Sequence, residues 1–111
     1  MKLVSKKMLF SSLLHGQSNF ITTREGAVVL DCKLEVTGPE SAKCKSVFLF
    51  VLEDDQRRPV SREFHMFSTD QQIYAFDGNK RYWHIATIAD KGATGYGQYM
   101  YDSYHTVWEL K

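Results

Sequence analysis

Residues 28–37 read Val28-Val29-Leu30-Asp31-Cys32-Lys33-Leu34-Glu35-Val36-Thr37, and their rhythm decides the fold class. Val28, Leu30, Cys32, Leu34 and Val36 fall in one phase; Val29, Asp31, Lys33, Glu35 and Thr37 fall in the other. A repeat of two places successive side chains on opposite faces of an extended chain. The stretch is therefore a strand with one face toward a core and one toward water. Thr37-Gly38-Pro39-Glu40-Ser41 ends it with turn-forming residues.

Toward the C-terminus comes Val47-Phe48-Leu49-Phe50-Val51-Leu52, an unbroken apolar run. It is short for a helix and rich in strand formers, which predicts a central strand covered on both faces. After the charged loop 53–59, Val60 to Phe67 alternates again, with Arg62, Phe64 and Met66 opposite Glu63, His65 and Phe67. It is expected to return as the second arm of a long hairpin. Ser68 to Gln72 is turn-like, Ile73-Tyr74-Ala75-Phe76 a short extended or helical piece, and Asp77-Gly78-Asn79 the strongest turn signal. Arg81 to Ala89 reads as a strand with Trp83 and Ile85 opposite Tyr82 and His84. Asp90 to Gly97 reads as a Gly-rich loop, and Gln98 to Leu110 as a last long strand with a bulge near Asp102-Ser103. Toward the N-terminus, residues 1–25 fit either a helical face built from Leu3, Phe10, Leu13 and Leu14 or a strand followed by a loop.

A length of 111 residues suits one domain, 1–111. Seven Phe, six Tyr and two Trp reinforce the sheet reading, because aromatic residues suit pleated, half-buried surfaces. The predicted architecture is mainly β: a small antiparallel β-sandwich or barrel of five to seven strands, with at most one short helix. A formal net charge of +1 excludes the strongly basic footprint of a general nucleic-acid binder and the acidity of a DNA mimic. Of the two cysteines, Cys32 falls on the inward phase as a small hydrophobe. Cys44 lies in a loop between Lys43 and Lys45, whose charge favours the thiolate. Two cysteines make no disulfide framework, although a bridge between them is one option the spacing leaves open. Lys2, Lys6 and Lys7 followed by Met8 to Leu14 outline a secretory leader, but Ser11 and Ser12 break the apolar run and no small-x-small site follows. No run approaches a membrane span, and the expected location is the cytoplasm.

Three segments carry a resemblance. They are Glu25-Gly26-Ala27-Val28-Val29-Leu30; Phe48-Leu49-Phe50-Val51-Leu52 followed by Arg62-Glu63-Phe64-His65-Met66-Phe67-Ser68-Thr69; and Ile85-Ala86-Thr87-Ile88 before the ending Thr106-Val107-Trp108-Glu109-Leu110. In this order, over residues 24–110, the chain resembles a family of small proteins encoded by phages and prophages. Where that family tends to carry a turn with Gly and His, this chain has Ser68-Thr69-Asp70-Gln71-Gln72, so no histidine role carries over. The resemblance implies a cytosolic accessory protein and no catalytic chemistry.

The residues themselves offer few reactive sets. His65, His84 and His105 sit on three predicted strands, but the close ligand pairs that announce zinc are missing. There is no Gly-x-Ser-x-Gly elbow, Cys44 has no placed histidine, and the adjacent carboxylates Asp54 and Asp55 diverge into solvent. The chain therefore reads as non-enzymatic, with no metal and no cofactor. Lys91-Gly92-Ala93-Thr94-Gly95-Tyr96-Gly97 has glycines that could gather backbone N–H groups on an anion, yet no helix follows it. Basic residues lie beside aromatics at Arg57, Arg58 and Arg62, at Lys80, Arg81, Tyr82 and Trp83, and at Tyr96, Tyr99, Tyr101 and Tyr104. Arg, Tyr and Trp anchor protein interfaces, and the same types hold phosphates and stack on bases. The candidate binding residues are Arg57, Arg58, Arg62, Lys80, Arg81, Lys91, Tyr96, Tyr99 and Tyr101, with the face shared by Tyr99 and Tyr101 foremost. The expected role is binding a host protein, for takeover or anti-defence. The alternative is an oligomeric small-ligand binder that sequesters a nucleotide defence signal; a membrane partner is not expected.

Overall fold

Strand pairing sorts the chain into two antiparallel sheets. The computed structural model describes residues 1–9, 18–39, 44–69, 78–94 and 100–111. Among them are the strands β1 (Lys2–Leu9), β2 (Asn19–Arg24), β3 (Val28–Thr37), β4 (Cys44–Glu53), β5 (Pro59–Ser68), β6 (Tyr82–Thr94) and β7 (Met100–Leu110), and no helix. One sheet has the order β1-β4-β3 and the other β2-β5-β7-β6. The sheets stack as a small β-sandwich, with β3 running beside β6 along one seam and β1 beside β2 along the other. No helix among the described residues is long and apolar enough to cross a membrane.

The core lies between the inner faces. Met8, Cys32, Val47, Leu49 and Val51 come from the three-stranded sheet; Phe64, Met66, Ala86, Ile88 and Val107 come from the four-stranded one. The alternation in the sequence explains the list: Val47, Leu49 and Val51 are every second residue of β4, and Phe64 and Met66 every second residue of β5. Full burial of each large side chain stabilises the fold by about 1.5–3 kcal/mol. The turn from β2 to β3 is tight, with the Ala27 N–H donating to the Arg24 carbonyl at 3.0 Å. Gly26 takes a φ of 77°, a left-handed conformation that a side chain would strain.

Several expectations need correction. Residues 47–52 and 60–67 do not form a hairpin: β4 pairs with β3 and β1, whereas β5 pairs with β2 and β7. Residues 54–58 cross between the sheets, in a turn where the Arg57 N–H donates to the Asp54 carbonyl and the Gln56 N–H to Asp54 Oδ1. Alternation fixes faces but not partners, and β3 was the nearer partner for β4. Residues 1–25 supply no helix among the described residues; they give β1 and β2, with Met8 fully buried. Lys91 to Thr94 belong to β6 rather than to a loop. The pairs Asp90↔Ser103 and Ala93↔Tyr101 leave two residues of β6 opposite Asp102, so the irregularity expected near Asp102-Ser103 has its extra residue on β6. Ile73 to Phe76 and Asp77 lie outside the described residues; Gly78 and Asn79 form the expected turn.

The even phase of β3 is also interrupted. Val29 faces Val51 and Asp31 faces Phe50, so Leu30 is an extra residue, a β-bulge. Such an insertion flips the side chains on one side of it to the other face. Val28 and Leu30 are therefore exposed, while Cys32 stays buried. A second bulge at Ile85, between His84↔Trp108 and Ala86↔Val107, does the same in β6. Cys44 opens β4 instead of lying in a loop. Its register partner is Thr37, five residues along β3 from Cys32 and on the opposite face, which excludes a bridge; both thiols are free.

Candidate functional site

Three arrangements of side chains stand out, two on the surface and one inside. The first is the outer face of the three-stranded sheet. Register places Leu3, Leu52 and Val28 in one row across β1, β4 and β3, then Ser5, Phe50 and Asp31, then Lys7, Phe48 and Lys33. β4 was expected to be covered on both faces. Its inward residues are indeed buried, but Phe48, Phe50 and Leu52 are only half-buried, and their neighbours Leu3 and Val28 are 60% and 50% exposed. Lys33 Nζ sits 5.9 Å from the centre of the Phe50 ring. The result is a ridge of apolar side chains flanked by Lys7 on β1 and by Asp31 and Lys33 on β3.

The second is the end of the sandwich where β2, β4 and β7 finish and β3, β5 and β6 begin. Five of the nine sequence candidates gather here. Arg57 and Arg58 lie in the β4–β5 turn, Arg62 on β5, and Lys80 and Arg81 just before β6. Arg58 pairs with Glu25, Lys80 donates to Glu63 at 3.0 and 3.2 Å, and the Arg57 carbonyl accepts from Arg24. The Ser18 hydrogen bond, chiefly, and Lys80 outweigh partial burial and hold Glu63 below the ordinary carboxylate range. Arg62 is structural rather than free. Its Nε and Nη2 donate to Glu109 at 2.5 and 2.7 Å, and its Nη1 donates to the Ala27 carbonyl at 2.7 Å, tying β5 to β7 and to the β2–β3 turn. Arg57 and Arg81 are exposed with no acidic partner among the described residues. A cleft of about 270 Å³ opens at this end between the edges of β3 and β6, above the Arg62–Glu109 pair. Lys111 Nζ stands at its rim, 5.0 Å from the centre of the exposed Trp83 ring.

The other candidates scatter. Lys91 is on β6 and Tyr101 on β7, where it pairs with Ala93; Tyr96 and Tyr99 lie outside the described residues, and so does the expected Tyr99–Tyr101 face. His65 and His84 flank Trp108 across the outer face of the four-stranded sheet, whereas His105 points inward. Among the described residues no three His, Cys, Asp or Glu side chains converge as metal ligands.

The third arrangement is internal and had no place in the sequence reading, which put Asp90 at the start of a loop. Lys45 Nζ donates to Asp90 Oδ2 at 2.5 Å; His105 Nε2 lies 3.3 Å from the same oxygen; His105 Nδ1 lies 2.6 Å from Ser68 Oγ. With its proton on Nε2 the imidazole donates to Asp90 and accepts from the Ser68 hydroxyl. Burial pushes the Asp90 carboxyl up, but the Lys45 and His105 hydrogen bonds and charges pull it further down, leaving it below its ordinary value. Ser, His and carboxylate in series have the order of a nucleophile relay. Here Lys45 occupies the carboxylate, and both His105 and Asp90 are buried, so the chain works as a cross-link among β4, β5, β6 and β7.

Comparison of the sequence and structure with protein-family profiles, curated proteins and solved structures returned no match.

Proposed function

We propose that this chain is a non-catalytic accessory protein of the phage-encoded kind it resembles, working in the host cytoplasm by docking a host protein and blocking or redirecting it. The observation that carries the reading is the apolar ridge on the outer face of the three-stranded sheet. Apolar side chains cost free energy when left in water, and contiguous exposed patches mark interaction surfaces. Phe48 and Phe50 supply aromatic anchor area, and Lys7 and Lys33 favour a partner whose apolar patch is bordered by acidic residues. This role accords with an anti-defence or takeover factor.

The test is capture from host lysate by the tagged chain, followed by reconstitution with the purified partner. Wild-type protein is expected to retain one host protein in stoichiometric amount. Leu3→Asp and Phe50→Ser, checked for retained fold by circular dichroism, are expected to weaken the reconstituted complex at least tenfold. Equal binding by wild type and both variants would overturn the assignment of this face. So would a self-dimer, seen by sedimentation, that the same substitutions dissolve.

A further inference from the structure

The cleft between β3 and β6 is made by the two β-bulges. Leu30 is the extra residue of β3 and Ile85 that of β6, and the cleft is lined by the residues beside them. These two strands face each other along an unpaired seam, so the insertions fall on opposite sides of the same gap. A bulge bends its strand and re-aims the side chains next to it. On β6 the change of phase turns Trp83 to the same inner face as Ala86 and Ile88, where, beyond the end of the core, it stands 53% exposed at the mouth of the gap. On β3 it leaves Val29 and Ala27 as the facing wall.

The chemistry of the lining is specific. At the floor, Arg62 and Glu109 satisfy each other through two hydrogen bonds, so the bottom is polar but neutral. The walls are mainly apolar, from Ala27, Val28, Val29 and Ile85, with His84 beside them. At the rim, Lys111 lies over the Trp83 ring and 3.9 Å from Glu109 Oε1, a carboxylate that Arg62 already occupies. Arg81 exchanges two backbone hydrogen bonds with Lys111, at 2.9 and 3.3 Å, which puts a second exposed cation beside the first. The site thus combines one accessible aromatic face, a shallow slot and two exposed cations, Arg81 with no acidic partner among the described residues and Lys111 sharing Glu109 with Arg62.

We propose that this cleft binds a small planar aromatic anion, of the size of a nucleoside monophosphate. The ring would stack on Trp83 and enter between Val29 and Ile85, displacing the Lys111 ammonium from the indole face. Lys111 and Arg81 would then pair the ligand's charge. A volume of about 270 Å³ falls just below the usual range of ligand pockets, about 300–1,000 Å³, which favours one ring system with one charged group. A continuous strand of nucleic acid fits poorly, since it needs a basic track with successive stacking aromatics. The cleft borders the apolar ridge at Val28 of β3, but Trp83 and Lys111, which test it, lie outside the ridge, so the two readings succeed or fail separately.

Trp83 is its own reporter. Fluorescence titration and calorimetry on the full chain would use AMP, GMP, CMP and UMP, with 2-naphthoate as an aromatic carboxylate and with adenosine and inorganic phosphate as half-ligands. Saturable quenching is expected with at least one aromatic anion, at least tenfold tighter than with either half-ligand and weakening as salt is raised. The arm that responds, nucleotide or carboxylate, identifies the source of the charge. Trp83→Ala and Lys111→Met are expected to weaken binding at least tenfold by calorimetry, Trp83→Phe and Lys111→Arg less, and Leu3→Asp not at all. All three replaced residues are exposed, so melting temperature should hold and report any loss of fold. No response to any probe at millimolar concentration, or binding indifferent to Trp83→Ala, would overturn the proposal.

Discussion

The outward faces of the two sheets both carry apolar side chains, yet the three-stranded sheet leaves its apolar row open while the four-stranded sheet covers the part of its face around His65 and Leu110. On the three-stranded sheet, Leu3 and Val28 are more than half exposed beside half-buried Phe48, Phe50 and Leu52. On the four-stranded sheet the outward phase carries His65 and Leu110, only 4% and 9% exposed, although Phe20 and Tyr104 on the same face are 66% and 45% exposed. Phe67 packs against His65 and Tyr82 there, and His84 meets Trp108 edge-on at 5.0 Å. Similar side chains therefore meet different surroundings: around His65 and Leu110 they pack and add stability, and outside the three-stranded sheet they are left to solvent.

Truncation sharpens this difference most. Leu110→Ala should lower unfolding free energy by about 2–3 kcal/mol, measured by urea denaturation. A loss below about 0.5 kcal/mol, the surface norm, would mean that the outward face of the four-stranded sheet is not a packed layer.

Next in size is the link that joins the sheets. Lys45→Met should cost about 2 kcal/mol, the scale of a hydrogen bond to a charged group, by leaving Asp90 with His105 alone. Because the folded-state pKa of Asp90 lies below its ordinary value of 3.8, its stabilisation is complete above that value and is lost as pH falls through the lower, folded value. The urea midpoint of wild type should therefore drop more steeply below pH 3.8 than that of Asp90→Asn, in titrations at pH 7, 4 and 3.

Leu3→Ser, on the open face, should change stability by no more than about 0.5 kcal/mol in the same urea assay. Least energetic but most direct is thiol labelling. Cys44 faces outward and is exposed; burial, and to a lesser degree Asp31, pushes the Cys32 thiol up to about 12. A chromogenic disulfide reagent should titrate one thiol in the native protein and two in denaturant.

The strands from residue 28 onward were legible, whereas β1 and β2 were not, because residues 1–25 fit a helix as well as a strand. Residues 28–37, 60–67 and 98–110 alternate, and the residues of β5 fall on the faces their phase predicts. The partition into sheets was not legible, because a two-residue rhythm says which way a side chain points and nothing about which strand lies alongside. The bulges were hidden for a related reason: Val28-Val29-Leu30 is apolar in either phase, so one inserted residue leaves no mark. The open face of β4 had a signal that went unused. Its outward residues Phe48 and Phe50 pair with Lys33 and Asp31, and charged cross-strand neighbours betray a solvated side. Of the basic candidates, charge and position were readable but pairing was not; Arg62 became a structural tie because Glu109, far away in sequence, folded beside it.

The crossing of the chain from one layer to the other between β4 and β5 also governs how the molecule must assemble. β3–β4 and β6–β7 are neighbours along the chain and can zip locally. β1 must instead find β4, joining Lys2 to Glu53, and β2 must find β5, joining Asn19 to Phe64. Closing such long segments before any contact rewards them slows the search, placing folding in the roughly millisecond-to-second regime of all-β domains. Two early hairpins awaiting their outer strands would leave bare edges, so newly made chains are most vulnerable to aggregation in that interval.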